Sequence, residues 1–381
     1  MTQPFDPQTG GIQMSTWKIG SWVADAGQEV AVFSFSESGH REMSFGQLEH
    51  SREAGGCGSP ENVSRMLEFV RNFEPYVIIN QTPYDFPIAE ALQPLRGPAG
   101  PLMLACLRNS LFSVKLNLDD YRNALVPDRF RPITRNRVGD IALQMLHRRR
   151  HARQLRTILD HHDRFVMFGP PNHEEIEYFI GKEHKEQLVC IPNSIPEVLA
   201  DLPAKEKSLL YVGRLATHQK RAELLLPLWK KLHKMLPDWT FDIVGDGPYR
   251  GAMEEQALAK ELPRIVFHGK QNPYPYYEKA AITVMTSSFE GFPNVTIEAQ
   301  SRGAVPVLMD SFPLASWVVN HGEDAILLPP FDLDQMGASI LELAADDVRR
   351  ERMQHRALAN AQRFHIETVG KQWLELLQAA A

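Results

Sequence analysis

Three stretches in the second half of the chain hold residue types suited to gripping a nucleoside diphosphate. In the first, Gly213 and Arg214 follow an apolar run at 208–212, and Lys220 and Arg221 come shortly after. Glycine lets backbone approach a ligand, and Arg214 and Lys220 supply fixed positive charge for phosphate. Basic residues after a strand are also ordinary surface, so this stretch alone decides little. The second, Gly245-Asp246-Gly247-Pro248, reads most simply as a tight turn. It matches neither a P-loop nor a Gly-x-Gly-x-x-Gly pattern. The third runs from Ser288 through Glu290, Phe292, Pro293, Asn294 and Val295 to Glu298. It ends a strand, turns on Gly and Pro, and opens a helix whose free N–H groups and positive dipole end favour an anion. Two carboxylates eight residues apart, Glu290 and Glu298, allow a glycosidase acid–base pair. They also suit hydrogen bonding to the hydroxyls of a ribose and a sugar, which the phosphate-binding context favours.

These side chains need strand ends to hold them. Apolar runs at 208–212, 241–244, 265–267, 281–285, 304–308 and 325–328 read as strands. Helical leucine spacing over 221–235, a helix at about 249–261 and another from about Val295 separate them. The first half is similar, with a helix over 11–26 and strands at 29–34, 76–80, 102–106, 165–168 and 188–191. Short apolar strands alternating with helices predict α/β architecture with parallel sheets covered on both faces. Two doubly wound domains facing each other across a cleft are expected, with ligands at the carboxyl ends of the strands.

Composition narrows the class. The chain has 381 residues, is 43% hydrophobic and 23% charged, and so carries enough apolar material for globular cores. No apolar run approaches the ~18 residues of a membrane-spanning helix. The start of the chain is neither basic nor apolar, so no secretory signal is read there. Three distant cysteines, Cys57, Cys106 and Cys190, argue against a disulfide framework or structural zinc and for a reducing cytosol. A net charge of −6 argues against nucleic acid as the partner of the whole chain. One stretch departs from that average. Residues 129–156 hold nine arginines and one acid, Asp140, for a formal +8, among apolar residues at helical spacing. A solvated helix face and an anchor for anionic lipid head groups both fit; RNA or DNA binding is a third and weaker reading, because no Gly-aromatic single-strand module or zinc finger accompanies the patch.

Taken together, these motifs resemble glycosyltransferase family 4, which has the GT-B fold of two Rossmann-like domains. The resemblance spans nearly the whole chain and is strongest over about 208–310. It rests on Tyr211-Val212-Gly213-Arg214-Leu215, Lys220-Arg221, Gly245-Asp246-Gly247-Pro248, Phe267-His268-Gly269 and Tyr276-Tyr277. The segment 288–293 with Glu298-Ala299 matches the family's Glu-x7-Glu motif. Near the start, Gly10-Gly11-Ile12-Gln13 looks like its first Gly-Gly loop, and Ile191-Pro192-Asn193-Ser194 like its interdomain connector.

The resemblance implies retaining transfer of a sugar from a nucleotide donor, a UDP-sugar favoured, with no metal or other cofactor. Arg214 and Lys220 would neutralise the leaving diphosphate, and Glu298 would bind the ribose hydroxyls. Glu290 and the backbone of Phe292, Pro293, Asn294 and Val295 would hold the sugar beside Gly213, and Gly11 would let its loop reach the donor phosphates. The domains would be an acceptor-binding 1–192, a linker 193–206, a donor-binding 207–362, and a C-terminal helix 363–381 crossing back. Two departures stand out. Only Met1 to Thr9 precede Gly10, so the first strand of the N-terminal sheet is expected to be missing or irregular. Where the family often places a histidine near the reacting sugar, this chain has Arg108 followed by Asn109. An arginine is no general base at neutral pH, but it can bind donor or acceptor phosphate.

The expected role is a cytoplasmic enzyme, peripheral on the inner membrane face through 129–156, building cell-surface polysaccharide or lipopolysaccharide on a glycan or lipid-linked acceptor. A sugar-nucleotide epimerase of the same fold and a catalytically silent nucleotide-sugar binder are the alternatives.

Overall fold

The computed structural model describes residues 5–6, 10–36, 43–51, 56–116 and 118–379. The chain divides into two compact units, residues 1–196 with 366–381, and residues 197–365.

In the first unit β1 (Ala31–Ser34) pairs in parallel with β2 (Gln47–His50). A separate parallel sheet holds β3 (Val77–Asn80), β4 (Leu102–Cys106), β5 (Arg164–Met167) and β6 (Leu188–Cys190), in that order. Strand β4 reads as an unbroken apolar run because both of its faces are covered. Side chains alternate between faces along a strand, so Leu104 and Cys106 join one core while Met103 joins another. On the first face lie Ile19 and Val23 of helix Gly11–Asp25, with Val369, Trp373 and Leu377 of the C-terminal helix Ile366–Gln378. On the second lie Met66 of helix Pro60–Phe73 and Ile88 and Leu92 of helix Phe86–Leu92. The Ser59 hydroxyl caps helix Pro60–Phe73 by accepting the Asn62 N–H at 3.3 Å.

The expected missing or irregular first strand falls on residues 1–9, of which 1–4 and 7–9 lie outside the described residues. What is described is a sheet in two pieces. No ladder joins β1–β2 to β3–β6 among the described residues. A cavity of about 460 Å³ is lined by both β1 and β3, and by Ser15, Ile19 and Arg108. Phe5 is fully buried and stacks on Trp17.

The second unit is one parallel sheet of six strands. They are β7 (Glu206–Val212), β8 (Thr240–Val244), β9 (Ile265–Gly269), β10 (Ala280–Met285), β11 (Val305–Met309) and β12 (Ile326–Leu328). Their spatial order is β9-β8-β7-β10-β11-β12. The chain steps outward from β7 in one direction, returns, and steps outward from β10 in the other. Crossover helices therefore lie on opposite faces on the two sides of the β7–β10 pair. The loops that leave these two strands diverge and open a crevice at their carboxyl ends. Strand β10 is buried at every residue. Trp229, Trp239 and Phe241 fill the core on one side of the sheet. The helix read over 221–235 is shorter, a 3-10 turn Ala222–Leu224 followed by an α-helix Leu225–Leu232. Arg221, at φ 51°, is left-handed and so caps the 3-10 turn rather than lying inside a right-handed helix.

Residues 193–206 do not form a separate linker; they are shared between the units. The Ser15 hydroxyl donates to Asn193 Oδ1 at 2.9 Å, and Lys18 Nζ to the Ser194 carbonyl at 3.3 Å. Past Pro196 the chain is held by the second unit, where the Leu199 N–H donates to the Ser301 carbonyl at 3.0 Å and Arg302 to Glu197 at 2.8 Å. The second unit continues to His365, and the return to the first unit starts at Ile366, whose N–H donates to the Ile195 carbonyl at 2.9 Å. Among the described residues no helix is long and apolar enough to cross a membrane.

Gly370 allows the C-terminal helix to lie against helix Gly11–Asp25, since a Cβ there would stand 2.3 Å from the Trp22 ring. Gly370→Ala should lower the stability of the first unit by about 1–3 kcal/mol, read as an earlier urea midpoint. An unchanged midpoint would contradict this packing.

Candidate active site

Backbone pairing continues past the strand ends and fixes the loops of the crevice. The Gly213 N–H donates to the Val244 carbonyl at 3.0 Å, Leu215 N–H to Asp246 O at 2.8 Å, and Gly245 N–H to Gly269 O at 2.8 Å. The turn at 245–248 is thus a close approach between two backbones rather than a free-standing tight turn. A Cβ on Gly245 would lie 1.9 Å from the Gly213 carbonyl oxygen, and one on Gly247 2.4 Å from that of Leu215. Arg214 stands exposed beyond β7 and has no carboxylate partner among the described residues. It is thus a cation with room to take an outside anion. The buried Tyr211 hydroxyl donates to the Arg214 carbonyl at 3.3 Å. Burial, then the Glu290 charge, pushes that phenol's pKa up, so it stays a donor.

The loop after β10 is stitched onto the loop after β7. Thr286 Oγ1 donates to the Lys220 carbonyl at 2.9 Å, Ser288 Oγ to His218 O at 2.5 Å, and Ser288 N–H to Gln219 O at 2.8 Å. Across this seam Lys220 Nζ donates to Glu290 Oε1 at 2.6 Å, with the lysine side chain 20% and the glutamate 8% exposed. The carboxylate is thus buried, while the lysine side chain keeps partial exposure.

Helix Asn294–Ser301 begins behind Pro293, with no side chain capping it. Its first-turn N–H groups carry the positive end of the helix dipole. Phe292 is buried, edge-on to Phe364 with ring centroids 5.8 Å apart. Asn294 and Val295 are half-buried. One turn on, the Tyr277 hydroxyl donates to Glu298 Oε2 at 3.3 Å. Tyr277 is fully buried, and burial followed by the Glu298 charge holds its phenol protonated. The Tyr277 hydroxyl thereby helps to orient Glu298. The sequence offered no way to single out this role for Tyr277, since three tyrosines cluster at 274–277 and spacing does not say which one turns inward. The His268 Nε2–H donates to Asp242 Oδ1 at 2.7 Å, as a strand-end residue does.

Gly213, Arg214, Lys220, Glu290, Phe292, Pro293, Asn294, Val295 and Glu298 therefore all sit on the loops and helix start at the carboxyl ends of β7 and β10. Gly11, Arg108 and Asn109 belong to the first unit. Gly11 is the first residue of helix Gly11–Asp25, behind an extended Gly10 and with no side-chain cap. Arg108 follows β4 and lines the cavity described above; its Nε is buried without a hydrogen-bond partner, and burial lowers its pKa. Gln81 Oε1, in the same cavity, is likewise unpartnered. Asn109 is exposed and accepts the Ser110 N–H at 2.9 Å. Among the described residues no group of three His, Cys, Asp or Glu is arranged to hold a metal ion.

Replacing Lys220 with Met would strand the buried Glu290 carboxylate. Lys220→Met should destabilise the second unit by about 1–3 kcal/mol, and Lys220→Met with Glu290→Gln should recover part of that loss in chemical denaturation. Equal stability of Lys220→Met and the parent would show that the pair does not hold the two loops.

Comparison with known proteins agrees with this architecture. Residues 206–346 match the family described as Glycosyl transferases group 1. The amylovoran biosynthesis glycosyltransferase AmsD of Erwinia amylovora is 28% identical over 228 residues, 58% of this chain and 61% of AmsD. The chain spans less than two thirds of the length of the curated relatives it matches. A sucrose-phosphate synthase from Thermosynechococcus elongatus superposes with a TM-score of 0.74 over 100% of this chain and 98% of its own, at 18% identity. Anabaena HepE in complex with UDP does so with 0.71, over 99% and 98%, also at 18% identity. The group 1 match thus falls on the second unit, and over its full length the chain has the GT-B fold of these solved structures.

Proposed function

We propose that the protein is a retaining glycosyltransferase. It moves a sugar from a nucleotide-sugar donor, a UDP-sugar by preference, to a glycan or lipid-linked acceptor in cell-surface polysaccharide or lipopolysaccharide synthesis. The observation that carries this reading is the set of cations, carboxylates and helix start gathered where β7 and β10 diverge. Complexes of HepE with UDP and with UDP-glucose support the choice of donor. AmsD and a lipopolysaccharide 1,6-galactosyltransferase of Salmonella typhimurium support the choice of product.

Each residue then has a task. Donor phosphate reaches Lys220 from its open side and competes with Glu290 for the ammonium. Arg214 adds a second cation. The dipole of helix Asn294–Ser301 and the backbone around Phe292, Pro293, Asn294 and Val295 face the same charge, and Gly213 leaves them room. Glu298, steadied by Tyr277, accepts hydrogen bonds from the ribose hydroxyls. Glu290, partly released from Lys220, does so from hydroxyls of the transferred sugar. The bond from the sugar's anomeric carbon to the phosphate oxygen breaks as charge builds on the diphosphate. Preorganised cations and dipoles stabilise that charge without a metal. The acceptor oxygen bonds to the same face of that carbon, and its proton passes to the departing phosphate oxygen. In the first unit, the unpartnered Arg108 is suited to an anionic group of the acceptor, with Asn109 beside it, and the helix start at Gly11 to a phosphate. The enzyme works at the cytoplasmic face of a membrane, which residues 129–156 would touch.

A panel of UDP-, GDP- and ADP-sugars read by thermal unfolding tests this. The matching donor should stabilise by about 2.7 kcal/mol at a hundredfold excess over its Kd. Glu298→Ala should weaken donor binding about tenfold or more, through a lost charged hydrogen bond. Lys220→Ala should slow transfer about a hundredfold or more, and a chelator should leave the rate unchanged. Stabilisation by none of the donors would sink the reading. A donor that binds and yields an epimer or a glycal would favour the epimerase, and one that binds without any product the silent binder.

A further inference from the structure

We propose that the first unit docks on an anionic lipid bilayer through helix Arg137–His161 and the segment leading into it, with an apolar tip entering the head-group region and arginines seated on lipid phosphates. This rests on the membrane part of the reading above and gives it a surface, a lipid class and a depth.

Helix Arg137–His161 buries Leu143, His147, Leu155, Ile158 and Leu159 against its own unit. At about 100° per residue, Val138, Ile141 and Met145 fall on the side opposite Leu143 and His147. They are exposed to 76%, 44% and 53%, and nearby Ile133 is exposed to 69%. With Phe130 and Leu146 they make six of the fourteen exposed large apolar side chains among the described residues, all between 130 and 146. Single exposed apolar residues scattered over a surface need no account, but a cluster of this kind does.

The charge around the tip identifies the partner. The one acid of 129–156, Asp140, is bound to the buried Arg122. Arg137, Arg148, Arg149, Arg150 and Arg153 have no carboxylate partner among the described residues. Further along the helix Arg148, Arg149, Arg153 and Arg156 line an open groove of about 800 Å³, floored by Met145, Ala152 and Phe179. A surface with apolar side chains at its tip and guanidinium groups without carboxylate partners behind them, Arg148 resting on the Tyr178 ring, matches a bilayer whose acyl region lies beneath a layer of anionic phosphate. Nucleic acid would use the arginines and leave the apolar tip in water. A second copy, paired through the same face, would bring like charges together.

The full-length protein should sediment with vesicles of phosphatidylglycerol mixed into phosphatidylcholine and much less with phosphatidylcholine alone. Raising salt should remove most of the binding, because exposed charges are screened, and leave a remainder due to the tip. Arg148→Gln with Arg149→Gln should weaken binding about 25-fold, at about fivefold per arginine; Arg150→Gln with Arg153→Gln is the second pair should the first fail to fold. Met145→Trp should shift its emission to the blue on anionic vesicles and be quenched by brominated lipid. The proposal is overturned by absence of binding at low salt, by equal binding to neutral vesicles, or by variants that bind as the parent does. It is also overturned if the Met145→Trp shift follows protein concentration without lipid, or if a single-stranded RNA displaces the protein from vesicles while Ile133→Asp and Val138→Asp have no effect. The arginine and tip variants should keep the donor-induced thermal shift of the parent. Loss of vesicle binding with that shift intact bears on docking alone, and vesicle binding without any donor shift bears on sugar transfer alone.

Discussion

The ion pair between Lys220 and Glu290 is the constraint on which the second unit's crevice depends. The two residues come from segments seventy positions apart, leaving adjacent strands whose crossovers depart to opposite faces. Nothing else about a parallel sheet obliges those segments to meet. A carboxylate this buried needs a cation and hydrogen bonds to offset its lost hydration. Lys220 supplies the cation, while Thr286 and Ser288 tie the backbones into one body. The lysine side chain of the pair nevertheless keeps partial exposure. A site that stored two unpaired charges would cost more to fold, and one that closed the pair completely would have nothing to offer an anion.

The rest of the crevice is built from backbone. Gly213, Gly245 and Gly247 bring three strand ends together where any side chain would collide with a carbonyl oxygen or a tyrosine. Around these glycines, Arg214 and Lys220 come from the loop after β7, Glu290 from the loop after β10, and Glu298 from the helix that follows. The buried phenols Tyr211 and Tyr277 act underneath, as donors whose own ionisation is suppressed by burial.

Much of this was legible from the residues. The apolar run at 281–285 read as a strand, as β10 is, and Gly213 and the Gly/Pro loop before Val295 marked where strands end. Other features were not. The shortened helix at Leu225–Leu232 turns on Arg221 taking a left-handed backbone, which no periodicity reports. The close approach at Gly245 looked like a turn because local sequence cannot show which backbone lies opposite. The boundary at Pro196 was blurred because Asn193 and Ser194 are polar yet packed, paired with Ser15 and Lys18 far away in the chain. The two-piece sheet of the first unit is likewise a tertiary fact, since β1 and β3 each read as ordinary strands.

That division into two units has a spectroscopic consequence. The chain has six tryptophans. Trp17, Trp22 and Trp373 lie in the first unit, and Trp229, Trp239 and Trp317 in the second. Each unit has its own core and no strand in common with the other. Intrinsic emission therefore sums three indoles from each unit, and a single melting curve fitted to it averages the two units wherever their stabilities differ. Silencing one set of indoles by conservative replacement with phenylalanine would let light from the other report its own unit, turning one blended transition into two that can be read in turn.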